Sequence, residues 1–309
     1  MKSLKRDREI EKNDLVTVVV PTLNEAEAIG KVIDEIRECG FKKILVVDGY
    51  STDDTVKIAE EKGAKVVFQY GEGKAGAIRT AIDLVDTPYM LVMDGDLTYD
   101  PRDIKNMLNY VPRYDEIIGM RTDRHNIPLV HRIGNRIISL VFSLLMGQRL
   151  SDPCSGMYLL KTDVARNLEL SSRGFDVEVE IAAQISSLGR VIEVPIKYRK
   201  RVGRRKLSTW RDGFNILTTI LKMLWLYNPV FLFSALAAAL TLPGLVILLW
   251  QLYIRYLYGA EAWSIGWTWL GLVLLVIGLQ GLTLSVISLL LKRLERRVLR
   301  TLSSISSYR

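Results

Sequence analysis

The chain has only two cysteines among its 309 residues, Cys39 and Cys154. So few cysteines exclude the disulfide framework that stabilises many small secreted domains. The first fourteen residues, MKSLKRDREIEKND, are rich in charge and lack the apolar stretch of a secretory signal peptide. Internal repeats and low-complexity segments are also absent. We therefore expect a cytoplasmic domain without a cleaved leader and without disulfides.

Charge is missing from two long stretches near the C-terminus. Residues 229–254 read PVFLFSALAAALTLPGLVILLWQLYI, and residues 263–291 read WSIGWTWLGLVLLVIGLQGLTLSVISLLL. Each exceeds the roughly 20 apolar residues that cross a bilayer as a helix. The link between them, residues 255–262, is too short to hold a domain. Residues 228–291 are therefore predicted to form a hairpin of two transmembrane helices, at about 229–254 and 264–291.

Basic residues lie on both sides of the predicted hairpin. The preceding segment carries Lys197, Arg199, Lys200, Arg201, Arg204, Arg205, Lys206 and Arg211, and the tail carries Lys292, Arg293, Arg296, Arg297 and Arg300. The positive-inside rule then places both the N-terminal region and the tail, residues 292–309, in the cytoplasm. The net charge of +8 indicates contact with anionic lipids, since no nucleic-acid-binding motif accompanies it.

Residues 208–227, STWRDGFNILTTILKMLWLY, repeat apolar side chains at helical spacing. This pattern predicts a juxtamembrane amphipathic helix that lies on the membrane surface. Packing of the same helix against the preceding domain is an equally good interpretation.

Residues 1–207 alternate predicted strands with predicted helices, which is typical of a doubly wound α/β sheet. The strands are predicted at residues 15–20, 43–47, 64–68 and 89–93, with 116–120 and 191–196 extending the sheet in mixed orientation. Helices are predicted at residues 28–36, 54–62 and 77–84. The polar clusters PTLNE, DGYSTDDT and DGD each follow a strand. They should meet in one crevice beyond the carboxyl ends of the strands.

The DGD cluster contains two carboxylates, Asp94 and Asp96, around Gly95. A turn is the simpler interpretation, because Asp and Gly favour turns. Side chains two residues apart on a strand point to the same side, however, and Mg²⁺ or Mn²⁺ binds such carboxylates together with substrate phosphates. The cluster is therefore also a candidate metal site.

Seven motifs between residues 15 and 207 together resemble one family. They are VVVPTLNEAEAI, VVDGYSTDDT, GKAGAIRTAI, VMDGDLTYDP, IGMR, DPCSGMYLL and EVPIKYRKRVGRRKLS. In order and spacing they resemble the inverting GT-A glycosyltransferases, most closely the dolichyl-phosphate mannose and glucose synthases. The resemblance implies a Rossmann-like mixed sheet and a Mg²⁺- or Mn²⁺-dependent transfer with inversion. A hexose would move from GDP-mannose or a UDP-sugar to dolichyl or another polyprenyl phosphate, giving a lipid-linked sugar for glycosylation.

The resemblance also implies which residues bind the donor and the metal. The donor residues are Pro21, Leu23, Asn24, Glu25, Asp48, Asp53, Lys74, Asp94, Gly95, Asp96, Arg201 and Lys206. Asp94 and Asp96 would hold the metal, and Thr98 stands where the mannose synthases often have Gln as a third ligand. Simpler interpretations remain open: Asn24 as a helix cap, Asp53 as a turn residue, and Arg201 with Lys206 as a juxtamembrane basic patch.

The same resemblance places Arg121, Arg132, Arg136 and Ser139 at the acceptor phosphate. Arginine suits this role because its fork binds phosphate through two hydrogen bonds; for Arg136 a solvated helix face is the alternative. Asp152 and the Ser155-Gly156 pair match a D-x-x-S-G motif, and Glu178 and Glu180 lie in an acidic segment of the family. Asp152 is the candidate base if one is required. A polyprenyl phosphate is already an anion and needs little deprotonation.

Other functions remain open at this stage. A polysaccharide synthase of the same fold usually has more membrane helices and a Q-x-x-R-W motif, whereas here Trp210-Arg211 occurs outside that context. A transport accessory is disfavoured, since the predicted spans contain no charge. A non-catalytic nucleotide-sugar sensor is the alternative from another class. The hairpin could pack alone or against copies of itself, so a homo-oligomer is possible.

Overall fold

The computed structural model describes residues 12–123, 125–127, 129–170, 177–202, 218, 221–222, 224–225 and 228–306. Lys206 and most of the predicted amphipathic helix, residues 208–227, lie outside these residues. The chain divides into two compact units, Met1–Ile220 and Leu221–Arg309. Each unit is described by itself.

A seven-stranded mixed sheet forms the centre of the first unit, in the order β3-β2-β1-β4-β6-β5-β7. Its strands are β1 (Val16–Thr22), β2 (Ile44–Asp48), β3 (Lys65–Phe68), β4 (Tyr89–Val92), β5 (Glu116–Arg121), β6 (Tyr158–Lys161) and β7 (Val191–Ile196). Neighbours among β1 to β4 run parallel, and β5 is parallel to β7. β6 runs antiparallel to both β4 and β5. The predicted mixed α/β sheet is thus confirmed, although β6 was not predicted.

Helices cover both faces of this sheet, and for that reason its central strands are almost wholly apolar. They are α1 (Ala26–Glu38), α2 (Thr55–Glu61), α3 (Gly73–Leu84), α4 (Ile104–Met107), α5 (Leu129–Met146), α6 (Thr162–Ala165) and α7 (Val177–Leu188). Short 3₁₀ turns at Pro101–Asp103 and Leu108–Tyr110 flank α4. On one face Ile29, Ile33 and Ile36 of α1 join the β1 valines in a continuous core.

The three polar clusters follow β1, β2 and β4, which are neighbours in the sheet. Parallel neighbours end on the same edge, so the sheet order brings PTLNE, DGYSTDDT and DGD side by side. The predicted convergence on one crevice therefore has a direct topological basis.

The second unit contains two long apolar helices, α8 (Pro229–Tyr258) and α9 (Ile265–Ser306). Pro229–Tyr258 and Ile265–Leu291 have the length and composition of membrane-spanning helices. They pair as an antiparallel hairpin: the Ser234 and Ser285 hydroxyls lie 2.7 Å apart, and Gln251 Oε1 accepts from Ser264 N at 3.0 Å. Glycine allows close approach, since a Cβ at Gly244 would lie 2.8 Å from Leu275 N.

Candidate functional site

Asp48 organises the end of β2 and is fully buried. Its carboxylate accepts from the Ser51 backbone N–H at 2.7 Å and from the Ser51 hydroxyl at 2.6 Å. The Thr22 hydroxyl at the end of β1 donates to the same group at 3.2 Å. This carboxylate thus ties the loops after β1 and β2 together, beside Pro21 on β1.

Asn24 lies in the left-handed region at φ 52, a conformation that Asn tolerates better than most residues. Its side-chain oxygen accepts from Thr52 N at 2.8 Å, and its own N–H donates to the Ser51 hydroxyl at 2.8 Å. Glu25, not Asn24, is the residue at the start of α1. The prediction that Asn24 caps this helix is therefore wrong, because its side chain holds the opposite loop instead.

Asp53 also contacts this loop, through backbone N–H groups on both sides of it. Leu23, in the loop after β1, is half-exposed. The Asp53 carboxylate accepts from the backbone N–H groups of Ala26 at 3.2 Å and Thr55 at 3.1 Å, and from the Thr55 hydroxyl. Partial burial would raise the pKa of Asp53, but these hydrogen bonds lower it below its usual value. The Asp53 carboxylate thereby helps to hold the loop in place.

Asp94 and Asp96 follow β4, and the chain turns sharply after them, with Leu97 at φ 64. Each carboxylate has its own cation: Lys74 Nζ lies 2.5 Å from Asp94 Oδ1, and Arg201 Nη1 lies 3.0 Å from Asp96 Oδ2. The turn and the pairing of charges therefore coexist in one short segment. Gly95 sits between them where a Cβ would lie 3.1 Å from the Thr22 methyl group.

Thr98 contacts Asp96 through two donors. Its hydroxyl lies 2.5 Å and its backbone nitrogen 3.1 Å from Asp96 Oδ1. Burial, followed by the neighbouring Asp94 charge, raises the pKa of Asp96, while Thr98 and Arg201 act against this. A cation bound beside Asp96 would oppose both causes of the raised pKa.

Lys74, at the start of α3, is buried between two carboxylates, since its Nζ also lies 2.5 Å from Glu178 Oε1. Burial alone would lower the pKa of Lys74, but Asp94 and Glu178 raise it well above its usual value. Burial raises the pKa of Glu178, and Glu178 Oε2 has no hydrogen-bond partner among the described residues. The predicted acidic segment thus supplies Glu178 beneath Asp94, and Glu180 is buried on the same helix.

Arg121, at the end of β5, forms a two-pronged ion pair with Asp152. Arg121 Nε and Nη2 lie 2.7 Å and 2.6 Å from the two carboxylate oxygens, and both side chains are buried. Glu193 holds Asp152 from behind, with its two oxygens accepting from Ser151 N at 2.8 Å and Asp152 N at 2.6 Å. The guanidinium is therefore fixed in position by Asp152, whose backbone is held in turn by Glu193.

Two tyrosines connect this arginine to the DGD cluster. The Arg121 guanidinium lies over the Tyr198 ring at 5.3 Å, and Tyr198 packs edge-on against Tyr99 at 5.3 Å. The Tyr99 hydroxyl accepts from Gly156 N at 2.8 Å, and Gly156 lies directly against the Asp94 carboxylate. The D-x-x-S-G motif and the DGD cluster thus share one site.

Helix α5 carries three of the predicted acceptor residues, Arg132, Arg136 and Ser139, and these differ in their contacts and burial. The Ser139 hydroxyl donates to Ser151 O at 3.1 Å, and Asn135, with its amide oriented to satisfy both partners, accepts from Arg121 Nη2 at 3.2 Å. Arg132 has a buried Nε without a hydrogen-bond partner among the described residues, whereas Arg136 is exposed. Ser139 thus contacts the loop before Asp152, and the acceptor role of Arg132, Arg136 and Ser139 stays a prediction.

Tyr99, Tyr198 and Glu193 were not singled out from the sequence, although all three support predicted site residues. Tyr99 lies within the LTYDP stretch that follows DGD, and Glu193 and Tyr198 lie within EVPIKYRK. Their positions inside recognised motifs were the available signal. A lone tyrosine or glutamate gives no indication of which backbone group or ring it will contact.

The donor set fits a divalent cation that is shared with a substrate. Among the described residues, no group of three or more His, Cys, Asp or Glu side chains could hold a metal by itself. Asp94 and Asp96 supply carboxylate oxygens only, as hard cations prefer, and Asp94 is the more exposed of the two, at 31%. A metal bound here would draw its remaining ligands from donor phosphates and water.

Comparisons with known proteins agree with this geometry. Residues 17–166 match the model of the family described as Glycosyl transferase family 2. The glycosyltransferase AglJ of Haloferax volcanii is 37% identical over 248 residues, 78% of this chain and 82% of that protein. A dolichyl-phosphate hexose transferase of the same organism is 31% identical over 216 residues, 68% of this chain and 94% of that protein.

A solved structure supports the fold alone. Glucosyl-3-phosphoglycerate synthase from Mycobacterium tuberculosis, in complex with Mn²⁺, UDP-glucose and phosphoglyceric acid, has a TM-score of 0.58 and 22% identity. The match covers 70% of this chain and 82% of that chain. The sheet with its DGD crevice is thus GT-A-like. Because two relatives above 30% identity are covered over most of their length, the chain belongs to glycosyl transferase family 2.

Proposed function

We propose that this protein transfers a hexose from a nucleotide-sugar to a polyprenyl phosphate, with inversion at the anomeric carbon. One observation carries the proposal: the DGD carboxylates and the fixed Arg121 guanidinium share a crevice in a chain with two candidate membrane spans. The match to a dolichyl-phosphate hexose transferase supports a lipid phosphate as the acceptor.

On the donor side, Asp94 and Asp96 would hold Mg²⁺ or Mn²⁺, which when bound supplies positive charge to the donor diphosphate. Lys74 fixes Asp94 from below, and Thr98 fixes Asp96. We propose that Thr98 acts through Asp96, since its hydroxyl is already bonded there. The predicted nucleoside pocket consists of the preformed loops after β1 and β2.

The predicted residues of this pocket are Pro21 and Asp48 at the ends of β1 and β2, and Leu23, Asn24, Glu25 and Asp53 after these strands. Arg201 pairs with Glu25 at 2.7 Å and with Asp96 at 3.0 Å, which supports a position beside the donor. Arg201 is therefore proposed to contact the donor diphosphate. The same role for Lys206 stays a prediction from the sequence motif.

On the acceptor side, Arg121 would bind the lipid phosphate, with Arg132, Arg136 and Ser139 of α5 completing its surroundings. Its permanent charge offsets the repulsion between the acceptor phosphate and the donor diphosphate. Because that phosphate is already an anion, we propose that Asp152 holds Arg121 in place and that no base is required. Attack from the face opposite the leaving diphosphate would invert the anomeric centre.

We further propose that residues 1–207 form the cytoplasmic catalytic domain and residues 208–227 a juxtamembrane helix. Residues 228–291 would anchor the chain, and the basic tail, residues 292–309, would lie on the cytoplasmic side. The distribution of basic residues supports this orientation.

The experiment uses the full chain in nanodiscs with Mn²⁺ or Mg²⁺ and radiolabelled GDP-mannose, UDP-glucose or UDP-N-acetylglucosamine. Dolichyl or undecaprenyl phosphate is the acceptor, and lipid-linked sugar is measured after organic extraction. One donor should give a lipid product that chelation of the metal abolishes. Product with retained anomeric configuration would overturn inversion, and failure of every donor would overturn the proposed function.

Asp94→Asn and Asp96→Asn should each lower turnover by about 100-fold or more, because electrostatic groups at a reacting diphosphate contribute on this scale. Asp86→Asn is the matched control, since Asp86 is an exposed aspartate outside the crevice. A sensor without catalytic activity would show no turnover in any of the three variants or in the unchanged chain.

A further inference from the structure

Gln280 is a polar side chain near the middle of the candidate span Ile265–Leu291. It is exposed, and its carboxamide makes no hydrogen bond with the part of the chain that the structure describes. A carboxamide without a partner is costly in the hydrocarbon of a bilayer, where water cannot replace the missing hydrogen bonds. Gln280 therefore needs a hydrogen-bond partner from another molecule.

The two polar side chains that follow Gln280 along α9 already have partners. The Thr283 hydroxyl donates to the backbone oxygen of Gln280 at 2.6 Å, and the Ser285 hydroxyl lies 2.7 Å from that of Ser234 on α8. Gln251 of α8 binds the backbone just before the start of α9. The unpaired state of Gln280 is thus not a general feature of polar residues in the hairpin.

Helical geometry directs Gln280 away from α8. Gly271, Gly278 and Ser285, which repeat every seven residues, form the buried side of α9 that contacts α8. At about 100° per residue, Gln280 lies about half a turn around the helix from Gly271. The pairing of the two spans consequently leaves its side chain on the outer side of the hairpin.

A heptad repeat runs along this outer side and includes Gln280. Its members are exposed and alternate in spacing between four and three residues, and they form the α9 seam: Trp269, Val273, Val276, Gln280, Thr283, Ile287, Leu290 and Leu294. This spacing is the one by which two long helices pack side by side, in water and in membranes. Val273, Gln280 and Ile287 take the a positions, where β-branched residues favour a parallel pair and a single polar residue fixes the alignment.

We propose that the α9 seam is the interface between two copies of this chain, with the two Gln280 carboxamides hydrogen-bonded to each other. Copies that cross the bilayer in the same direction place identical residues at the same depth, so a two-fold axis along the membrane normal brings Gln280 against Gln280. A carboxamide both donates and accepts, and two of them therefore satisfy one another. The seam residues carry no charge, which disfavours a partner that offers a charged group.

The proposal rests on the proposed membrane attachment of the chain, but not on its transferase activity. The first measurement is oxidative cross-linking of single introduced cysteines in the full chain, reconstituted in vesicles. Thr283→Cys should form a disulfide-linked dimer, because opposed seam positions bring two Cβ atoms within disulfide reach. Leu279→Cys, at a similar depth but off the seam, is the matched control and should not cross-link. The unchanged chain measures any background from Cys39 and Cys154.

The second measurement is the dimer dissociation constant, from energy transfer between donor- and acceptor-labelled Ser307→Cys chains as the protein-to-lipid ratio falls. Gln280→Leu should raise this constant by about threefold to thirtyfold, the range that interhelical hydrogen bonds span in bilayers. Gln280→Asn keeps the carboxamide and should retain most of the affinity. Leu279→Gln/Gln280→Leu keeps the composition but moves the carboxamide by about 100°, so it should dissociate like Gln280→Leu.

Flotation of the chain with the vesicles is measured in the same samples, and a chain that does not float would overturn the membrane attachment together with the interface. When the chain does float, three results would overturn the interface alone. Cross-linking of Leu279→Cys in place of Thr283→Cys would mean that another face of α9 pairs. An unchanged dissociation constant in Gln280→Leu would mean that Gln280 does not hold the dimer. Monomers at every protein-to-lipid ratio would mean that the seam faces lipid or a different protein.

Discussion

At the scale of single residues, Asp94 and Asp96 coexist because each faces a different cation. Lys74 is buried and fixed by Glu178, whereas Arg201 is 30% exposed and shared with Glu25. A buried cation between two carboxylates is costly to move, and a partly exposed one is not. Lys74 therefore belongs to the permanent framework of the site, and Arg201 is the group that we propose exchanges Asp96 for a bound diphosphate.

Substitution of Gly156 tests whether metal binding depends on the position of the Asp94 carboxylate. A Cβ at Gly156 would lie 2.8 Å from Asp94 Cγ, so Gly156→Ala must displace the carboxylate. A site of this kind tolerates shifts of only about 0.5 Å. We expect Mn²⁺ affinity, measured by electron paramagnetic resonance, to fall by about tenfold or more, which corresponds to roughly 1.4 kcal/mol.

Gly266→Ala is the control for this substitution, because the space around Gly266 accepts a methyl group. Both variants should retain the thermal unfolding of a folded chain. Unchanged Mn²⁺ affinity in Gly156→Ala would contradict a metal role for Asp94.

Substitution of Glu193 tests whether its contacts with Ser151 and Asp152 position Arg121. Glu193→Gln replaces one carboxylate oxygen with an NH2 group, so one of the backbone N–H groups of Ser151 and Asp152 faces a donor and loses its acceptor. Loss of a hydrogen bond to a charged group costs about 1.5–3 kcal/mol, part of which the loop recovers by relaxing. We expect kcat to fall by roughly tenfold while the donor KM changes by less than about twofold, since Glu193 touches no predicted donor residue.

Steady-state kinetics at saturating acceptor separate the two parameters. Glu60→Gln, on the exposed side of α2, is the matched control. A donor KM that rises in step with the loss of kcat would count against a positioning role on the acceptor side.

At the scale of elements, Asp100 joins the end of the DGD segment to the strand-following loop of β7. Its carboxylate accepts from Arg102 N at 3.0 Å and pairs with Arg199 Nη2 at 2.7 Å. Burial would raise the pKa of Asp100, but Arg102 and Arg199 lower it from 3.8 to about 2. The ionised carboxylate therefore stabilises the folded state above pH about 4, and this contribution is lost as the pH falls from 4 through 2.

Asp100→Asn should lower the free energy of unfolding at pH 7 by about 1 kcal/mol, a value reduced for the screening of exposed Arg102. The difference from the unchanged chain should be clearly smaller at pH 2.5, because the carboxyl of Asp100 is then largely protonated in the unfolded state and partly protonated in the folded state. Urea unfolding at the two pH values measures it, with Asp86→Asn as the control. A difference that is the same at both pH values would contradict the lowered pKa.

The sequence predicted elements best where one residue type dominates. β1, β2 and β4 consist mainly of apolar, often β-branched residues, so they were found within one or two residues. Helix α3 begins at Gly73, four residues before the predicted start, because glycines in its first turn weaken the helical pattern. β6 has only four residues, and its place between β4 and β5 depends on long-range pairing that no local pattern encodes.

The same limit applies to the site. Asp94, Asp96 and Arg121 were predicted because their chemistry is recognisable in a motif. Tyr198 and Glu193 were missed because their roles depend on which ring or backbone group the fold brings near them. Residue type predicts what a side chain can do, and the tertiary structure decides what it contacts.

At the scale of the whole molecule, the two units differ in whether their apolar side chains are buried or exposed. The first unit buries a charged site within an apolar core, whereas α8 and α9 expose most of their apolar side chains. Within the hairpin, contacts are made by small and polar residues, including Ser234, Ser285 and Gly278. This is how helices associate in lipid, where packing replaces the hydrophobic effect.

An antiparallel pair of spans requires that both ends of the hairpin emerge on one side of the membrane. Cysteines introduced at Lys57, before the hairpin, and at Ser307, after it, should therefore label from the same side, and a cysteine at Glu261 in the link from the other. With a membrane-impermeant maleimide, intact cells should label Glu261→Cys alone, and inside-out vesicles should label the other two. We expect this orientation because translocating the basic flanks would cost far more than translocating the link. Labelling of Lys57→Cys and Ser307→Cys from opposite sides would mean that only one apolar helix spans the bilayer, and labelling of both in intact cells would reverse the orientation.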